Sequence, residues 1–290
     1  MTRRRVAIVP TYFVPLIIVF VVVFSSAVFL DQKIESPAAV ILAPKLVPLP
    51  PTTQLSAEVF RVFDINTGDV VVSVGAEKVV PIASVTKLFA AAELVSTFDL
   101  QATTTIEWAD VIGGGEAGKL MYGKQYSYQD LLFPLLIESS NDAATTLVRA
   151  TSGALLEQMN THARALGATS TTFSDASGLS DNNVSTARDL QLLLTDAYVH
   201  EPHVFDISTL TQYIGPYSGW RNNNLIAGYS GYRGGKHGYT TAANRTLVAV
   251  FDEQIHGHVY RLGYIILGSD DLKADFEKLR QFINTSATPG

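Results

Sequence analysis

An uncharged apolar run near the amino terminus most restricts what this chain can fold into. Residues 6–30 contain no Asp, Glu, Lys or Arg, and about 20 apolar residues suffice for a helix that crosses a bilayer. Three arginines at positions 3–5 precede the run, so the positive-inside rule predicts that the chain after Asp31 lies outside the cytoplasm. The sequence therefore predicts a cytoplasmic segment at 1–5 and a single-pass plasma-membrane anchor at 6–30.

A cleaved signal peptide is the alternative for the same run. The letters SSA at residues 25–27 offer a cleavage site. However, the apolar core of a signal peptide is normally about 7 to 15 residues long. The greater length of this run favours an anchor that stays attached and binds the protein to the membrane.

Composition excludes several classes of protein. The formal net charge of -6 gives no basic surface for nucleic acid. The absence of cysteine excludes disulfides, thiolate zinc sites and a cysteine nucleophile. The 290 residues, 47% of them apolar, are enough for a packed domain that holds together without disulfides.

Patterning after the apolar run predicts a linker, one domain and a tail. Five prolines between residues 37 and 53 predict an extended linker over 31–56. The domain is predicted at 57–284 and a polar tail at 285–290. Alternation on both sides of the letters NTG predicts a hairpin near the start. The middle third has helical periodicity, with Ser185 and Asp189 placed to begin a helix.

Two strand-like runs, RTLVAVFD and GHVYRLGYIILG, and an amphipathic helix then end the domain. Strands at both ends and helices between them predict an α+β fold, in which distant segments form one sheet beside an all-helical subdomain.

Ser84 and Lys87 are candidate catalytic residues because their spacing places them on one face of a helix. A serine hydroxyl becomes a good nucleophile when a neighbouring base accepts its proton, and lysine can do so only when neutral. Burial and a second nearby cation both disfavour the ammonium form. The surroundings of Lys87 in ASVTKLFAAAELV are apolar, and Lys236 in YRGGKHGYT is the candidate second cation. Ser139 in IESSNDAA is the candidate proton relay.

These motifs, in this order, resemble those of the serine-type D-alanyl-D-alanine carboxypeptidases, low-molecular-mass penicillin-binding proteins related to serine β-lactamases. The family carries Ser-x-x-Lys, Ser-x-Asn and Lys-Thr-Gly. Here they read Ser84-Val-Thr-Lys87, Ser139-Ser-Asn141 and Lys236-His-Gly238. The segments SNDAA, MNTHARALG, DASGLS and STARDL add to the similarity, which extends over about 57–282. The resemblance implies a β-lactamase/transpeptidase-like fold.

The resemblance also implies a role for each motif residue. Ser84 would attack the D-Ala-D-Ala peptide bond and Lys87 would accept its proton. Ser139 would pass a proton to the leaving amine, and Asn141 would bind a substrate amide and hold Lys87 in place. Lys236 would recognise the terminal carboxylate of the peptidoglycan stem peptide. β-Lactams would acylate Ser84 as inhibitors.

The end of the third motif is predicted to bind substrate through residues 237–240. Gly238 would let the strand approach the acyl group, and the backbone N–H groups of Ser84 and Tyr239 would form the oxyanion hole. Thr240 completes the predicted set. His237 stands where the family has threonine; an imidazole N–H can donate the same hydrogen bond, and a protonated ring would add charge.

Other patterns favour weaker interpretations. The letters GGGEAGKL resemble a phosphate-binding loop, but the Ser or Thr required after the lysine is Leu120. His200 and His203 have metal-ligand spacing, yet Pro202 should break their helix. His256 and His258 flank Gly257 in a predicted turn. The sequence therefore predicts no metal and no cofactor.

The sequence leaves three alternatives to a carboxypeptidase open. The first alternative is a β-lactamase, suggested by Glu157, because class A β-lactamases use a glutamate to activate water. A D,D-endopeptidase on the same fold is the second alternative. The third is a homologue that binds peptidoglycan with little turnover, an interpretation that depends on His237.

Overall fold

The computed structural model describes residues 45–46, 54–112 and 120–288. The strands are β1 (Lys45–Leu46), β2 (Val59–Asp64), β3 (Val70–Val74), β4 (Val80–Pro81), β5 (Thr103–Thr105), β6 (Gln125–Ser127), β7 (Val184–Ser185), β8 (Gln212–Ile214), β9 (Gly219–Arg221), β10 (Tyr232–Thr240), β11 (Asn244–Ile255), β12 (His258–Ser269) and β13 (Ala287–Thr288). The helices are α1 (Thr86–Thr97), α2 (Trp108–Val111), α3 (Tyr128–Phe133), α4 (Asn141–Ala150), α5 (Ala154–Ala165), α6 (Ala187–His200), α7 (Pro202–Thr209) and α8 (Leu272–Ser286).

Some sequence predictions fall outside the described residues. The predicted anchor at 6–30 does, and so does the glycine-rich part of GGGEAGKL at 113–119. Within the described part of the chain, no helix combines the length and apolar character needed to cross a membrane.

Five antiparallel strands form the main sheet, in the order β10-β11-β12-β2-β3. The hairpin predicted around NTG is confirmed as β2 and β3, and the two strand-like runs are confirmed as β11 and β12. Alternation along β11 sends Val248 and Val250 to one face and Leu247 and Phe251 to the other. The sheet therefore separates two hydrophobic cores.

The second core lies between the sheet and α8. Leu272, Phe276, Leu279 and Ile283 recur at spacings of four, three and four, so they share one helix face and are all buried. Burying each such side chain contributes roughly 1.5–3 kcal/mol. This stripe confirms the predicted amphipathic terminal helix.

The folded region exceeds the predicted limits of the domain. Helix α8 continues to Ser286, inside the predicted tail, and β13 pairs antiparallel with β1, which lies in the predicted linker. A two-residue strand in a proline-rich segment has too few residues to show a periodic pattern. The linker at 31–56 therefore contains at least one residue pair that belongs to the fold.

The first core lies between the sheet and the helices α1 to α7. Helices dominate this region, as predicted, but the expectation of an all-helical subdomain is wrong. The two-stranded pairs β4–β7, β5–β6 and β8–β9 lie between its helices. Strands of two or three residues are too short for alternation to be visible in the sequence.

The predicted helix start and turns can be compared with the caps and turns in the structure. Helix α6 begins after Thr186, whose Oγ1 accepts from the backbone N–H of Asp189 (3.0 Å), whereas Ser185 belongs to β7. Helix α6 ends at His200 and α7 begins at Pro202, so His200 and His203 lie on different helices, as the proline predicted. The predicted turn at Gly257 joins β11 to β12.

Candidate active site

Ser84 lies in a single 3₁₀ turn, Ala83–Val85, directly before α1. Two glycines press against this turn from opposite elements. A Cβ on Gly238 of β10 would come within 2.6 Å of the Ser84 backbone nitrogen, and one on Gly178 would lie 2.0 Å from the Ala83 carbonyl oxygen. Ala83 itself has a left-handed backbone (φ 49°), which costs about 1–3 kcal/mol for a residue other than glycine. The turn is therefore held in one conformation by contacts on both sides.

Lys87 is completely buried, and its Nζ contacts the Ser84 hydroxyl. The distance from Nζ to Ser84 Oγ is 3.0 Å, and Nζ also donates to Asn141 Oδ1 (2.8 Å) and to the Ser177 carbonyl oxygen (2.5 Å). Burial lowers the pKa of Lys87 to about 7, while the negative charge of Asp175 acts in the opposite direction. The amine is therefore largely neutral just above neutral pH, as a base requires.

The loop at 174–180 places the Ser177 carbonyl oxygen against Lys87. The carboxylate of Asp175 organises this loop, because it accepts from the backbone N–H groups of Ser177 (2.8 Å), Gly178 (2.6 Å) and Ser180 (2.8 Å). Burial alone would raise the pKa of Asp175, but these hydrogen bonds outweigh burial and lower it. Asp175 is therefore an ionised anchor for the loop.

Ser139 and Asn141 come from the junction between a π-helical turn, Pro134–Glu138, and α4. Ser140 caps α4, since its Oγ accepts from the Ala143 N–H (3.0 Å). Ser139 precedes the cap in a left-handed conformation (φ 64°), and Asn141 opens the helix. The strained turn thus fixes Ser139 two residues before the amide that contacts Lys87.

Lys236 on β10 is the second buried amine of the site. Its side chain is 1% exposed, and its Nζ donates to the His237 carbonyl oxygen (2.7 Å). Burial lowers its pKa well below the usual value, and the charge of Lys87 lowers it further. The structure therefore brings Lys236 close enough to Lys87 for their charges to interact, as the sequence predicted. Burial therefore disfavours the ammonium form of Lys236, the residue predicted to be the second cation.

His237 is half-buried, and its Nδ1 has no hydrogen-bond partner among the described residues. Burial lowers the pKa of His237 to about 3, and the charges of Lys236 and Lys87 contribute. Burial therefore favours the neutral form of the His237 ring. The ring is a neutral donor or acceptor with one nitrogen still to be satisfied.

The remaining residues of the third motif are placed differently from one another. Gly238 is buried against the Ser84 turn, so its lack of a Cβ serves the approach of β10 to that turn. Tyr239 is 61% exposed with Arg245 over its ring. The Thr240 hydroxyl accepts from the Ala243 N–H (3.1 Å) and supports the β10–β11 hairpin turn. Substrate binding by Tyr239 and Thr240 stays a prediction.

A comparison of sequences identifies the family. A profile of the D-alanyl-D-alanine carboxypeptidases, peptidase family S11, matches residues 46–261. The chain belongs to this family. The resemblance read from the motifs is therefore confirmed, and so is the penicillin-binding type of α+β fold.

The similar proteins include both D-alanyl-D-alanine endopeptidases and D-alanyl-D-alanine carboxypeptidases. A D-alanyl-D-alanine endopeptidase from Pseudomonas aeruginosa is 38% identical over 50% of this chain and 49% of its own, so the chain matches about half the length of that relative. A D-alanyl-D-alanine carboxypeptidase, DacB2, from Mycobacterium tuberculosis is 31% identical over 66% of this chain and 69% of its own. Among solved structures, penicillin-binding protein D2 from Listeria monocytogenes superposes with a TM-score of 0.70 and 26% identity, covering 81% of this chain and 98% of that one.

Two features of the candidate site, the Ser177 carbonyl and Asp175, were not predicted from the sequence. The Ser177 carbonyl is a backbone group, and Asp175 acts through the loop, so neither has a motif of its own. The segment DASGLS, which contains both residues, was singled out only by its resemblance to the family.

Glu157, the residue behind the β-lactamase alternative, is exposed on α5. The described residues contain no cluster of three or more His, Asp or Glu side chains suited to a metal ion.

Proposed function

We propose that this chain is a serine D,D-peptidase that removes the terminal D-alanine from peptidoglycan stem peptides through an acyl-enzyme, and that β-lactams acylate it. The observation that carries the proposal is the buried Lys87 amine, with a pKa of about 7, at 3.0 Å from the Ser84 hydroxyl. Such an amine can accept the serine proton at neutral pH.

The first half of the reaction transfers the acyl group to Ser84. Neutral Lys87 accepts the hydroxyl proton as Ser84 Oγ attacks the carbonyl carbon, and the C–N bond then breaks. The proton moves through Ser139 to the departing amine, which leaves as D-alanine. Backbone N–H groups of Ser84 and Tyr239 stabilise the oxyanion, and one such donor is worth about 100- to 1,000-fold in rate.

The second half releases the product. Lys87 is neutral again once its proton has reached the leaving amine, so it can accept a proton from water that attacks the ester carbonyl. The Ser84–acyl bond breaks, and the proton returns to Ser84 Oγ. The products are the shortened peptide, which now ends in a carboxylate, and the enzyme in its starting state.

The terminal carboxylate of the substrate opposes the burial that disfavours the ammonium form of Lys236. A carboxylate within about 4 Å favours the ammonium form of a lysine and raises its pKa. The unsatisfied Nδ1 of His237 offers a further contact on the same strand. Substrate binding and protonation of Lys236 are therefore coupled in this proposal.

The proposal places the enzyme on the outer face of the plasma membrane. Its support is the uncharged run at 6–30 behind three arginines. The substrate, peptidoglycan, lies on that side of the membrane.

The test uses the full chain in detergent and a D-Ala-D-Ala peptide. We expect release of D-alanine and, after penicillin treatment, an intact mass raised by one penicillin on Ser84. The Ser84→Ala variant should show neither. If the wild-type chain releases no D-alanine and gains no mass, the proposed chemistry is absent.

An endopeptidase is the second candidate, because the 38% identical Pseudomonas relative carries that name. Cross-linked muropeptides distinguish the two activities. An endopeptidase converts the cross-linked dimers to monomers, whereas a carboxypeptidase leaves the cross-link and shortens free pentapeptides. Hydrolysis of a chromogenic cephalosporin would instead support the β-lactamase alternative, and acylation without turnover would support the peptidoglycan-binding homologue.

A further inference from the structure

A group of exposed aromatic side chains lies outside the candidate active site. Trp108 and Tyr122 are each 62% exposed, and Tyr217 is 42% exposed. Lys124 lies beside them, with its Nζ 5.6 Å from the centroid of the Tyr217 ring. We call these four residues the aromatic ridge. None of the roles given above to the motif residues uses them.

Contacts between rings hold the aromatic ridge in place. The Trp108 and Tyr122 rings meet edge to face, with 5.7 Å between their centroids and an angle of 84°. Tyr126, which is 1% exposed, joins the two ends of the ridge. Its ring contacts that of Tyr217 at 5.1 Å, and its hydroxyl accepts from the Met121 N–H (3.3 Å). The rings are therefore ordered before any ligand binds, which reduces the entropy cost of binding.

One end of the aromatic ridge borders the candidate active site. Tyr217 belongs to the turn between β8 and β9, and Tyr213 of β8 stacks on Phe133 with 3.5 Å between ring centroids. Phe133 directly precedes the π-helical turn Pro134–Glu138, and Ser139 follows that turn. The β8–β9 hairpin therefore packs beside the turn that presents Ser139.

The other end of the aromatic ridge is tied to the end of α4. Arg149 binds Asp110 (2.7 Å) and Glu107 (2.9 Å), which stand on either side of Trp108 in the sequence. Eight residues separate Asn141 from Arg149, and at 1.5 Å per residue this part of α4 is about 12 Å long. The Arg149 side chain adds a few ångströms, so Trp108 lies roughly 12–18 Å from Asn141.

The proposed substrate has a part that reaches this distance. A pentapeptide stem has four residues on the acyl side of the scissile bond, and the first of them is attached to the glycan strand. An extended chain spans about 3.3–3.6 Å per residue, so the glycan begins about 13–14 Å from the bond that Ser84 attacks. This reach agrees with the separation between Trp108 and the candidate active site.

The chemistry of the aromatic ridge also fits a sugar. A pyranose ring has apolar C–H faces and polar groups at its edge, and Trp and Tyr rings offer a rigid apolar face with a polar group at the rim. Lys124 is the one cation among the four ridge residues, and the Glu107 carboxylate beside Trp108 is paired with Arg149. A neutral N-acetylated sugar therefore suits the ridge better than an anionic lipid surface, which binds clusters of basic residues.

We propose that the aromatic ridge binds the glycan strand of peptidoglycan, with a sugar ring packed on Trp108 and Tyr122, while the attached stem peptide enters the candidate active site. The enzyme would then act faster on stem peptides attached to glycan than on free peptides. This inference rests on the proposed function, since a peptidoglycan substrate brings the glycan.

Tryptophan fluorescence tests the contact directly. The chain has two tryptophans, and Trp220 is 1% exposed, so quenching by acrylamide reports on Trp108. The full chain in detergent receives glycan strands freed of their stem peptides. We expect the strands to reduce the quenching of Trp108, and to do so equally in the Ser84→Ala protein. A second sample, reconstituted into lipid vesicles without glycan, should keep the quenching seen in detergent.

A matched pair of variants tests the location. Tyr122→Ala removes a ring that contacts Trp108, and Val199→Ala removes an exposed apolar side chain from α6, outside the ridge. Covering roughly 50 Å² of ring contributes about tenfold in affinity. We therefore expect Tyr122→Ala to need about tenfold more glycan for the same protection, whereas Val199→Ala should match wild type. Tyr122→Phe keeps the ring and should stay within about twofold of wild type.

The same variants should divide two substrates. For Tyr122→Ala we expect kcat/KM for D-alanine release to fall about tenfold on glycan-linked pentapeptides and to stay unchanged on a free pentapeptide. Acylation by penicillin at the wild-type rate checks that the variant is folded. An equal loss on both substrates would overturn the ridge assignment.

The outcomes separate this inference from the proposed function. If penicillin acylates the chain but glycan does not protect Trp108, the ridge assignment is overturned and the peptidase stands. Shielding of Trp108 by vesicles alone would show a membrane-facing surface and would also overturn it. Absence of both penicillin acylation and D-alanine release would instead overturn the proposed function, whether or not glycan protects Trp108.

Discussion

Two buried clusters of ionisable side chains in this protein differ in the partners that surround them. On the α8 side of the sheet, Glu253 is 1% exposed and bound by Arg280 (2.7 Å) and by the Tyr264 hydroxyl (3.0 Å). In the candidate active site, Lys87 and Lys236 are as deeply buried, but their hydrogen-bond partners are carbonyl and hydroxyl oxygens. The first group is a paired charge, whereas the second is a pair of amines.

The difference shows what each region is built for. Burial raises the pKa of Glu253, and Arg280 opposes that shift, so removing Arg280 would leave the buried carboxylate unpaired. Burial lowers the pKa of both amines, and the charge of Lys87 lowers that of Lys236 further, so the neutral form that can act as a base is favoured. The fold therefore keeps an ion pair where only stability is needed and two poorly compensated amines where a proton must be exchanged.

The largest effect should follow from removing the base. Lys87→Met replaces the amine by an apolar chain of similar length, and we expect the acylation rate to fall by about 100- to 10,000-fold. Stopped-flow measurement of labelling by a fluorescent penicillin gives the rate. The urea midpoint should change far less than in the next variant. A fully active Lys87→Met protein would show that another group accepts the proton.

The paired region should respond in the opposite way. Arg280→Met leaves Glu253 buried without its cation, and we expect the free energy of unfolding to fall by about 3–5 kcal/mol. The exposed Arg164→Met is the matched control and should stay within about 0.5 kcal/mol of wild type. Urea denaturation measures both. Without urea, and at a temperature where the variant is folded, its acylation rate should equal that of wild type.

The loop carboxylate should tune the base. Because the pKa of Lys87 is about 7, kcat/KM for wild type should rise with pH through about 7 as the amine loses its proton. Asp175→Asn removes the charge that raises this pKa, so the rising limb should move to lower pH. We also expect about a tenfold loss in the plateau rate, since the Ser180 N–H loses its acceptor. An unmoved limb would show that Asp175 acts on loop geometry alone.

The smallest effect should come from the histidine in the third motif. Burial lowers the pKa of His237 to about 3, so at neutral pH His237→Thr exchanges one neutral hydrogen-bonding group for another. We expect kcat/KM to change by less than about tenfold, with the same pH limb in both proteins. A limb near pH 6 in the kcat profile of the wild type that is absent from the variant would show that substrate binding protonates the imidazole.

The sequence predicted the fold best where side-chain patterns repeat. The NTG hairpin, β11, β12 and α8 all carry alternation or helical spacing over five or more residues. Strand β10 reads YRGGKHGYT and shows no such alternation, so only the family resemblance predicted it. The short strands β4 to β9 were missed because two or three residues cannot display a period.

The candidate site was predictable where its residues have reactive side chains. The spacing of Ser84 and Lys87 predicted their contact, and the motif order predicted that Asn141 and Lys236 would join them. The Ser177 carbonyl has no such signature, because every residue has one and only the folded loop directs it. The neutral state of His237 also depends on burial, which the sequence does not encode locally.

The turn that holds Ser84 lies between Gly178 from the helical half and Gly238 from the sheet. Neither half can shift by a few tenths of an ångström without changing the space around the nucleophile. If β-lactams acylate Ser84 as proposed, labelling requires both halves to be docked around the turn. A fluorescent β-lactam would then report the intact tertiary assembly of each labelled molecule.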